Sequence, residues 1–302
     1  MSAEDSSPLV SVILPAFRSG ATIERSLESI DQQTFRDFET IVVESSGDAA
    51  SEAMVHRRFP AVRFIAASDR LLPQAARNLG VGHSRGRLLV FTDPDIYLQS
   101  RWLQALVTAW EEQHEVIIGS FACHGTRVID FGFHLTKFSK WLPAGRRRIL
   151  DMAPSGNMLV SREDFERAGA FPGELFIGDV ELSRNLQDCG LRLWFEPAAA
   201  GAHHHLYTLR EFCAERFQRG RWYGELRSRW YVDRRWRIAT LAVATVLPLR
   251  LASNLARVAL HAARGGALIK LVTALPVVVA GYGATLAGEA GAYLAALARR
   301  SR

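Results

Sequence analysis

The chain has 302 residues, 48% of them hydrophobic, 23% charged and 10% aromatic, with a formal net charge of +6. That length exceeds a usual domain of roughly 100 to 200 residues, so one large α/β domain with an appendage is expected, and the apolar content with balanced charge excludes a disordered chain. Three cysteines, Cys123, Cys189 and Cys213, stand at no metal-ligand or disulfide-framework spacing, which argues against a secreted disulfide scaffold and a structural zinc site and fits a reducing compartment.

Residues 1–8 form an acidic, polar tail, and the apolar run that follows has no basic segment before it, so no targeting signal is expected and the first 200 residues are placed in the cytosol. Residues 9–15 predict a buried strand ended by Pro15. Residues 22–33 predict a helix with Ile23, Leu27 and Ile30 on one face and Thr22 as N-cap. A strand at 40–43, a helix at 49–58, a strand at 62–66, a helix at 74–83 and a strand at 88–92 continue the alternation, which implies a mostly parallel sheet. Ligands of such sheets gather beyond the carboxyl ends of the strands, where polar clusters fall at 16–19, 44–48 and 93–95. No G-x-G-x-x-G follows the first strand and no G-x-x-x-x-G-K is present, so neither a dinucleotide fold nor a P-loop is supported. The glycines of NLGVGHSRG read as helix-end and turn residues.

A helix is predicted at 102–110 and a strand at 116–120, then an irregular stretch to Met152 that contains Arg146, Arg147 and Arg148. The segment APSGNMLVSREDFERAGAFPG reads as a loop and strand leading to a helix capped by Ser161, with Asp164 completing a near capping box. A helix at 179–189 ends at Gly190, and a strand at 191–195 is expected to stop before Pro197.

Three clusters carry candidate chemistry. TDPDIY places Asp93 and Asp95 one residue apart after a strand, an arrangement that suits an oxygen-liganded divalent cation and also a plain Asp-Pro-Asp turn. Asp179 and Glu181 open a helix, where acids in a first turn serve the helix dipole; the alternative is that one of the two carboxylates acts as a general base. His203, His204 and His205 on an extended segment cannot all face one way, so at most one or two can serve a metal, and packing histidines are the plain alternative.

The order of these motifs, from the strand and PAF at 12–17 through TIERSLESIDQQTFRDFETIVVESSGD, QAARNLGVGHSRGRLLVFTDPD and PSGNMLVSREDFERAGAFPG to the Asp179 helix and the histidine run, resembles the family 2 glycosyltransferases with their GT-A fold. The resemblance covers roughly residues 9–230. It implies that Pro15, Ala16 and Phe17 line a nucleotide, that Glu44 contacts the base or ribose, and that Arg77 lies near base or diphosphate. It further implies Asp93 at the ribose or metal, Asp95 on a divalent cation, Mg or Mn, and Asp179 as the base that deprotonates the acceptor hydroxyl in an inverting displacement; from the histidine run, His203 is the further candidate ligand. Two departures stand out: Glu44-Ser45 where the family usually has Asp-Asp or Asp-Asn, and Gly178-Asp179 where it often has Glu-Asp. Gln218, Arg221 and Trp222 show the Q-x-x-R-W spacing that polymer-building members carry beside the acceptor sugar and diphosphate; a chance match in a basic helix is the alternative.

The charge is split. Residues 1–209 hold 21 Lys and Arg against 26 Asp and Glu, whereas residues 210–302 hold 16 against 5. Residues 238–249 are too short an apolar run to span a bilayer; Arg250, Asn254, Arg257, His261 and Arg264 make one polar stripe on an apolar helix, the pattern of an interfacial helix; and residues 271–288 are 18 uncharged residues near the lower limit for a span. Nine arginines from Arg210 to Arg237 precede them, which fits the positive-inside rule and an anionic membrane surface better than nucleic acid. The expected division is a tail at 1–8, a GT-A domain at 9–230 and a membrane-associated helical region at 231–302. The resulting expectation is transfer of a single sugar from a nucleoside diphosphate sugar to a lipid-linked or membrane-proximal glycan acceptor, at the cytoplasmic membrane with the catalytic domain in the cytosol, in envelope glycan synthesis. A nucleotidyltransferase and a non-catalytic membrane scaffold are the alternatives.

Overall fold

The computed structural model describes residues 7–174, 177–231, 233–246 and 248–298, so most of the expected N-terminal tail lies outside the described residues. The chain forms two compact units. Unit 1 takes the chain up to Ala122 and then Gly145–His204; unit 2 takes Cys123–Ala144 and the chain from His205 onward.

Unit 1 is built on β1 (Val10–Ala16), α1 (Ile23–Asp31), β2 (Phe38–Glu44), α2 (Ala49–Arg58), β3 (Arg63–Ala66), α3 (Pro73–Gly82), β4 (Leu88–Thr92), β5 (Ile96–Leu98), α4 (Trp102–Gln113) and β6 (Val116–Cys123), the last of which ends in unit 2. In unit 2, α5 (Val128–Phe138) follows; then, back in unit 1, come β7 (Arg148–Leu150), β8 (Asn157–Ser161), α6 (Arg162–Arg167), α7 (Gly178–Asp188) and β9 (Leu193–His203). The sheet order is β3-β2-β1-β4-β8-β6-β9-β5, with β7 also on β9. Its β3-β2-β1-β4 half is parallel. The pairs of β8 with β4 and β6, and of β9 with β5 and β7, are antiparallel.

Physical causes are plain in the parallel half. Every residue of β1 is buried, as expected of a strand covered on both faces. Ile23, Leu27 and Ile30 give α1 its buried stripe. Thr22 stands at the start of α1, yet its hydroxyl donates to the Ser19 carbonyl at 3.3 Å and makes no cap, while Ser161 caps α6 as expected, accepting from the Asp164 amide at 3.0 Å. In the antiparallel half, buried Asn157 ties three strands together: it accepts from the Trp102 indole at 2.8 Å and donates to the carbonyls of Ser120 at 3.0 Å and Ala199 at 3.1 Å.

Two expectations give way. The stretch to Met152 is not irregular throughout, for it contains α5, a short 3-10 turn at Ser139–Trp141 and β7. Strand β9 runs on through Pro197 to His203, because Pro197 needs no amide there and its carbonyl accepts from Ser120 Oγ at 2.9 Å. The compact units also differ from a division at 230/231: α8 (Leu209–Trp230) packs in unit 2 on α11 (Leu268–Ala298), beside α9 (Arg235–Val246) and α10 (Pro248–Arg264).

Glycine explains that packing. A Cβ at Gly288 would lie 2.0 Å from the Phe217 carbonyl oxygen, and one at Gly220 would lie 2.0 Å from that of Thr285, so the α8 and α11 backbones touch. Buried Glu289 of α11 accepts from Arg227 at 2.8 Å and Arg250 at 3.0 Å. The polar stripe of α10 is thus partly spent inside unit 2, where Arg250 meets Glu289, Asn254 is buried and His261 lies 3.4 Å from Ser139 Oγ. By length and composition, α11 is the one described helix able to cross a membrane by itself, with 33% of its most apolar window buried in the protein.

Candidate active site

In register, Ala16 pairs with Glu44 and Glu44 with Ala66, so the loops after β1, β2 and β3 leave the same edge of unit 1. Pro15 and Ala16 are the last two residues of β1, and Phe17, the first loop residue, is 36% exposed. Arg18 takes a left-handed conformation, φ +52, held by its amide donating to Ser46 Oγ at 3.0 Å. The Arg70 and Arg18 guanidiniums stand 4.7 Å and 5.3 Å from the Phe17 ring. An exposed ring beside two cations suits a base or an anionic ligand.

Glu44 is buried and its carboxylate is occupied by its own loop. It accepts from the amides of Ser46 at 2.8 Å, Gly47 at 2.9 Å and Asp48 at 3.3 Å, and from Ser46 Oγ. In this arrangement the acid shapes the loop from inside, and the loop's outer groups are what a ligand would meet.

Asp93 and Asp95 follow β4 with different partners. The turn that carries them is fastened by Ser26 Oγ, which donates to the Ile96 carbonyl at 3.0 Å. Asp93 makes an ion pair with Arg77, which α3 holds almost fully buried with Gln74 Oε1 at 3.1 Å. The buried Arg77 Nε has no hydrogen-bond partner among the described residues. Gly156 keeps room for Asp93, since a Cβ there would lie 2.5 Å from its carboxylate. Asp95 instead lies 3.6 Å from His203 Nε2, with its side chain 31% exposed. Ile96 pairs with His203 in register and the His204 amide donates to the Asp95 carbonyl at 2.8 Å, which brings the end of β9 to the DPD turn.

The histidine run separates as an extended segment must. His203 faces Asp95, His204 Nδ1 lies 2.9 Å from the Tyr97 hydroxyl, and His205 lies 3.3 Å from His134 in unit 2. Burial pushes the Tyr97 hydroxyl above its ordinary pKa; nearby Asp95 adds to this and Arg25 opposes it, so the phenol stays protonated at neutral pH.

Asp179 is buried in the first turn of α7, its Oδ1 accepting from the Val180 amide at 3.1 Å. A Cβ on the neighbouring Gly178 would lie 3.1 Å from Gln74 Cγ. Contacts therefore run from Asp93 through Arg77 and Gln74 to the start of α7, all in unit 1. Gln218, Arg221 and Trp222 lie on α8 of unit 2, with Arg221 3.5 Å from Glu225. Sequence reasoning missed Arg70, Gln74, Tyr97 and Arg25. None sits in a distinctive spacing, and only the fold brings them to named partners.

A family model described as Glycosyl transferase family 2 matches residues 11–168. Glycosyltransferase AglE of Haloferax volcanii is 24% identical over 207 residues, covering 65% of this chain and 67% of that protein. The GalNAc(5)-diNAcBac-PP-undecaprenol beta-1,3-glucosyltransferase of Campylobacter jejuni is 26% identical over 117 residues, covering 37% of this chain and 38% of that protein. The chain thus spans about two thirds of the first relative and little more than a third of the second. Among solved structures, the mannosyltransferase PcManGT from Pyrobaculum calidifontis, in complex with GDP-Man and Mn2+, superposes with a TM-score of 0.56 at 20% identity, covering 91% of this chain and 88% of that one.

Proposed function

The chain belongs to glycosyl transferase family 2 and has the GT-A fold, and from that premise we propose that unit 1 transfers a single sugar from a nucleoside diphosphate sugar to an acceptor hydroxyl near a membrane, with inversion. The observation that carries this reading is the DPD turn, where two carboxylates at one strand end are divided between a buried guanidinium and an imidazole.

Phe17, with Arg18 and Arg70, receives the nucleotide at the loop after Pro15 and Ala16, and Glu44 holds the facing loop in shape. Arg77 positions Asp93 toward the ribose, and its Nε is a donor in reserve for the ligand. Asp95 and His203 fit a divalent cation: a half-buried carboxylate oxygen beside an imidazole nitrogen is a donor pair that suits Mn2+ better than the all-oxygen preference of Mg2+. Such a cation supplies neutralisation of the charge that grows on the leaving diphosphate.

The chain's own chemistry then needs one base. The acceptor oxygen forms a bond to the anomeric carbon as the bond from that carbon to the diphosphate oxygen breaks, the electron pair leaving with the nucleoside diphosphate. The acceptor proton passes to the Asp179 carboxylate. One displacement gives inversion.

The acceptor is proposed to be lipid-linked, on two supports: the relative from Campylobacter jejuni is named for an undecaprenol-linked substrate, and unit 2 carries α11 and the arginine-rich α8. With α11 in the cytoplasmic membrane, the arginines of α8 favour the cytosolic, anionic side. Gln218, Arg221 and Trp222 are the proposed acceptor-diphosphate residues. The test is full-length protein in detergent, supplied with Mn2+, a panel of GDP- and UDP-sugars and a polyprenyl diphosphate-linked sugar. Transfer of one sugar to the lipid-linked acceptor is expected. Transfer only to soluble acceptors overturns the acceptor assignment, and no donor consumption with any acceptor overturns the donor assignment.

A further inference from the structure

Cys123 at the end of β6, His134 in α5 and His205 just before α8 bring ligand atoms within 4.8 Å of one another. All three belong to unit 2. They are the one such group of three found among the described residues. His134 is 1% and His205 2% exposed, His134 Nδ1 stands 3.3 Å from His205 Nε2, and Cys123 is half-buried.

We propose that Cys123, His134 and His205 bind a zinc ion in unit 2, separate from the cation site proposed at Asp95 and His203 of unit 1. The donor set is the first support. One sulfur and two imidazole nitrogens are the borderline-soft ligands that zinc takes, whereas Mg2+ and Ca2+ take oxygen. Spacing is the second: tetrahedral zinc with Zn–N bonds of about 2.0–2.1 Å holds two nitrogens about 3.3 Å apart. The histidine nitrogens already stand at 3.3 Å. An imidazole-to-imidazole hydrogen bond explains that distance alone, and the Cys123 thiol donates to the Gly125 carbonyl at 3.6 Å, a bond that zinc binding would exchange for the metal.

The surroundings are the third support. The Phe138 ring lies 5.5 Å from that of His134 and 6.2 Å from that of His205, and Phe133, stacked on Phe212 at 4.2 Å, lies 6.3 Å from His205. Two imidazoles placed among aromatic rings lose their water, and an ion that uses their lone pairs offsets that loss. On binding, the thiol gives its proton to solvent and the sulfur forms the metal bond as thiolate.

The position indicates what the ion does. Cys123 begins the first of the two stretches of chain that make unit 2, and His205 begins the second. A shared ion ties the second stretch, at His205, to Cys123 and α5 of the first, so its binding free energy becomes folding free energy of unit 2.

The test uses full-length protein in detergent, purified without added metal or chelator. Elemental analysis is expected to find one zinc per chain. After stripping, Co2+ titration is expected to give the near-ultraviolet thiolate-to-cobalt charge-transfer band with the visible bands of tetrahedral cobalt. Cys123→Ser should remove the charge-transfer band and lower zinc affinity at least about tenfold, and His134→Gln should lower it similarly. Cys213→Ser and Asp95→Asn should leave band and zinc content as they are. A second measurement needs no variant: zinc should shield Cys123 from iodoacetamide in the wild-type protein, with Cys189 labelled equally in its presence and absence. Zinc-free protein whose cobalt adduct lacks the thiolate band, a band that survives Cys123→Ser, or labelling of Cys123 indifferent to zinc overturns the proposal.

Discussion

In unit 1 the buried acids Glu44 and Asp179 accept from backbone amides at the end of a strand and the start of a helix and buried Glu196 pairs with Arg147, whereas in unit 2 buried Asp130 accepts from the Arg127 amide and buried Glu289, within α11, pairs with Arg227 and Arg250. Apolar exposure separates the units: among the described residues Phe17 and Ile149 are the exposed large hydrophobics of unit 1, while Ile269, Val272, Leu249, Val246 and Trp236 are among those of unit 2. Charge follows, with 18 Lys and Arg against 25 Asp and Glu in the sequence of unit 1 and 19 against 6 in that of unit 2. Under the proposed function, the acids of unit 1 serve a cation and an acceptor hydroxyl, and the arginines and bare apolar side chains of unit 2 serve an anionic lipid surface.

This contrast predicts that substitutions in unit 2 change stability and those at the edge of unit 1 change chemistry. The largest stability effect is expected at the α8–α11 contact. Gly288→Leu should cost about 3 kcal/mol or more, because nothing but a backbone shift removes a Cβ clash with a carbonyl. Gly291→Ala, on the same helix with nothing within 4 Å of its Cβ position, should be neutral or stabilising by up to about 1 kcal/mol. Equal loss from both, read by detergent-resistant thermal unfolding, breaks the account of α11 packing.

Acid should distinguish the units next. Burial alone would raise the Glu215 pKa, but Lys137, Arg216 and Arg219 outweigh it and bring the carboxyl down to about 2. A group whose folded pKa is depressed lends stability that is complete above the ordinary value of 4.5 and fades as pH falls toward 2. Unit 2 should therefore lose up to about 3 kcal/mol across that window, and Glu215→Gln should flatten the loss. An unchanged acid profile in the variant contradicts it. The smallest effect is expected at Arg70: Arg70→Gln should raise the donor KM about fivefold, the equivalent of about 1 kcal/mol, with the unfolding temperature unchanged. A shift in unfolding temperature with KM intact makes Arg70 a structural residue.

How much was legible follows from the same physics. Strands β1 and β4 show in the sequence because they are buried throughout and read as unbroken apolar runs, and α2 lies at the residues its pattern predicts. Helix α5 was hidden: Arg127 is no standard N-cap residue, Gly132 stands inside the helix, and Phe131, Phe133 and Leu135 alternate as a strand would. The paired acids of the DPD turn were visible, but their division between Arg77 and His203 depends on α3 and on β9 continuing past Pro197. Cysteine spacing pointed away from zinc because short-range motifs register only ligands close in sequence, and Cys123, His134 and His205 meet through the fold alone.

The central claim is that Asp179 is the acceptor base and takes no part in holding the donor. Donor affinity by calorimetry and single-turnover transfer should therefore be measured side by side for the wild type and Asp179→Asn. The account predicts donor affinity within about twofold and a transfer rate lower by about 10²–10⁴. Transfer that survives in Asp179→Asn with donor binding lost would contradict it.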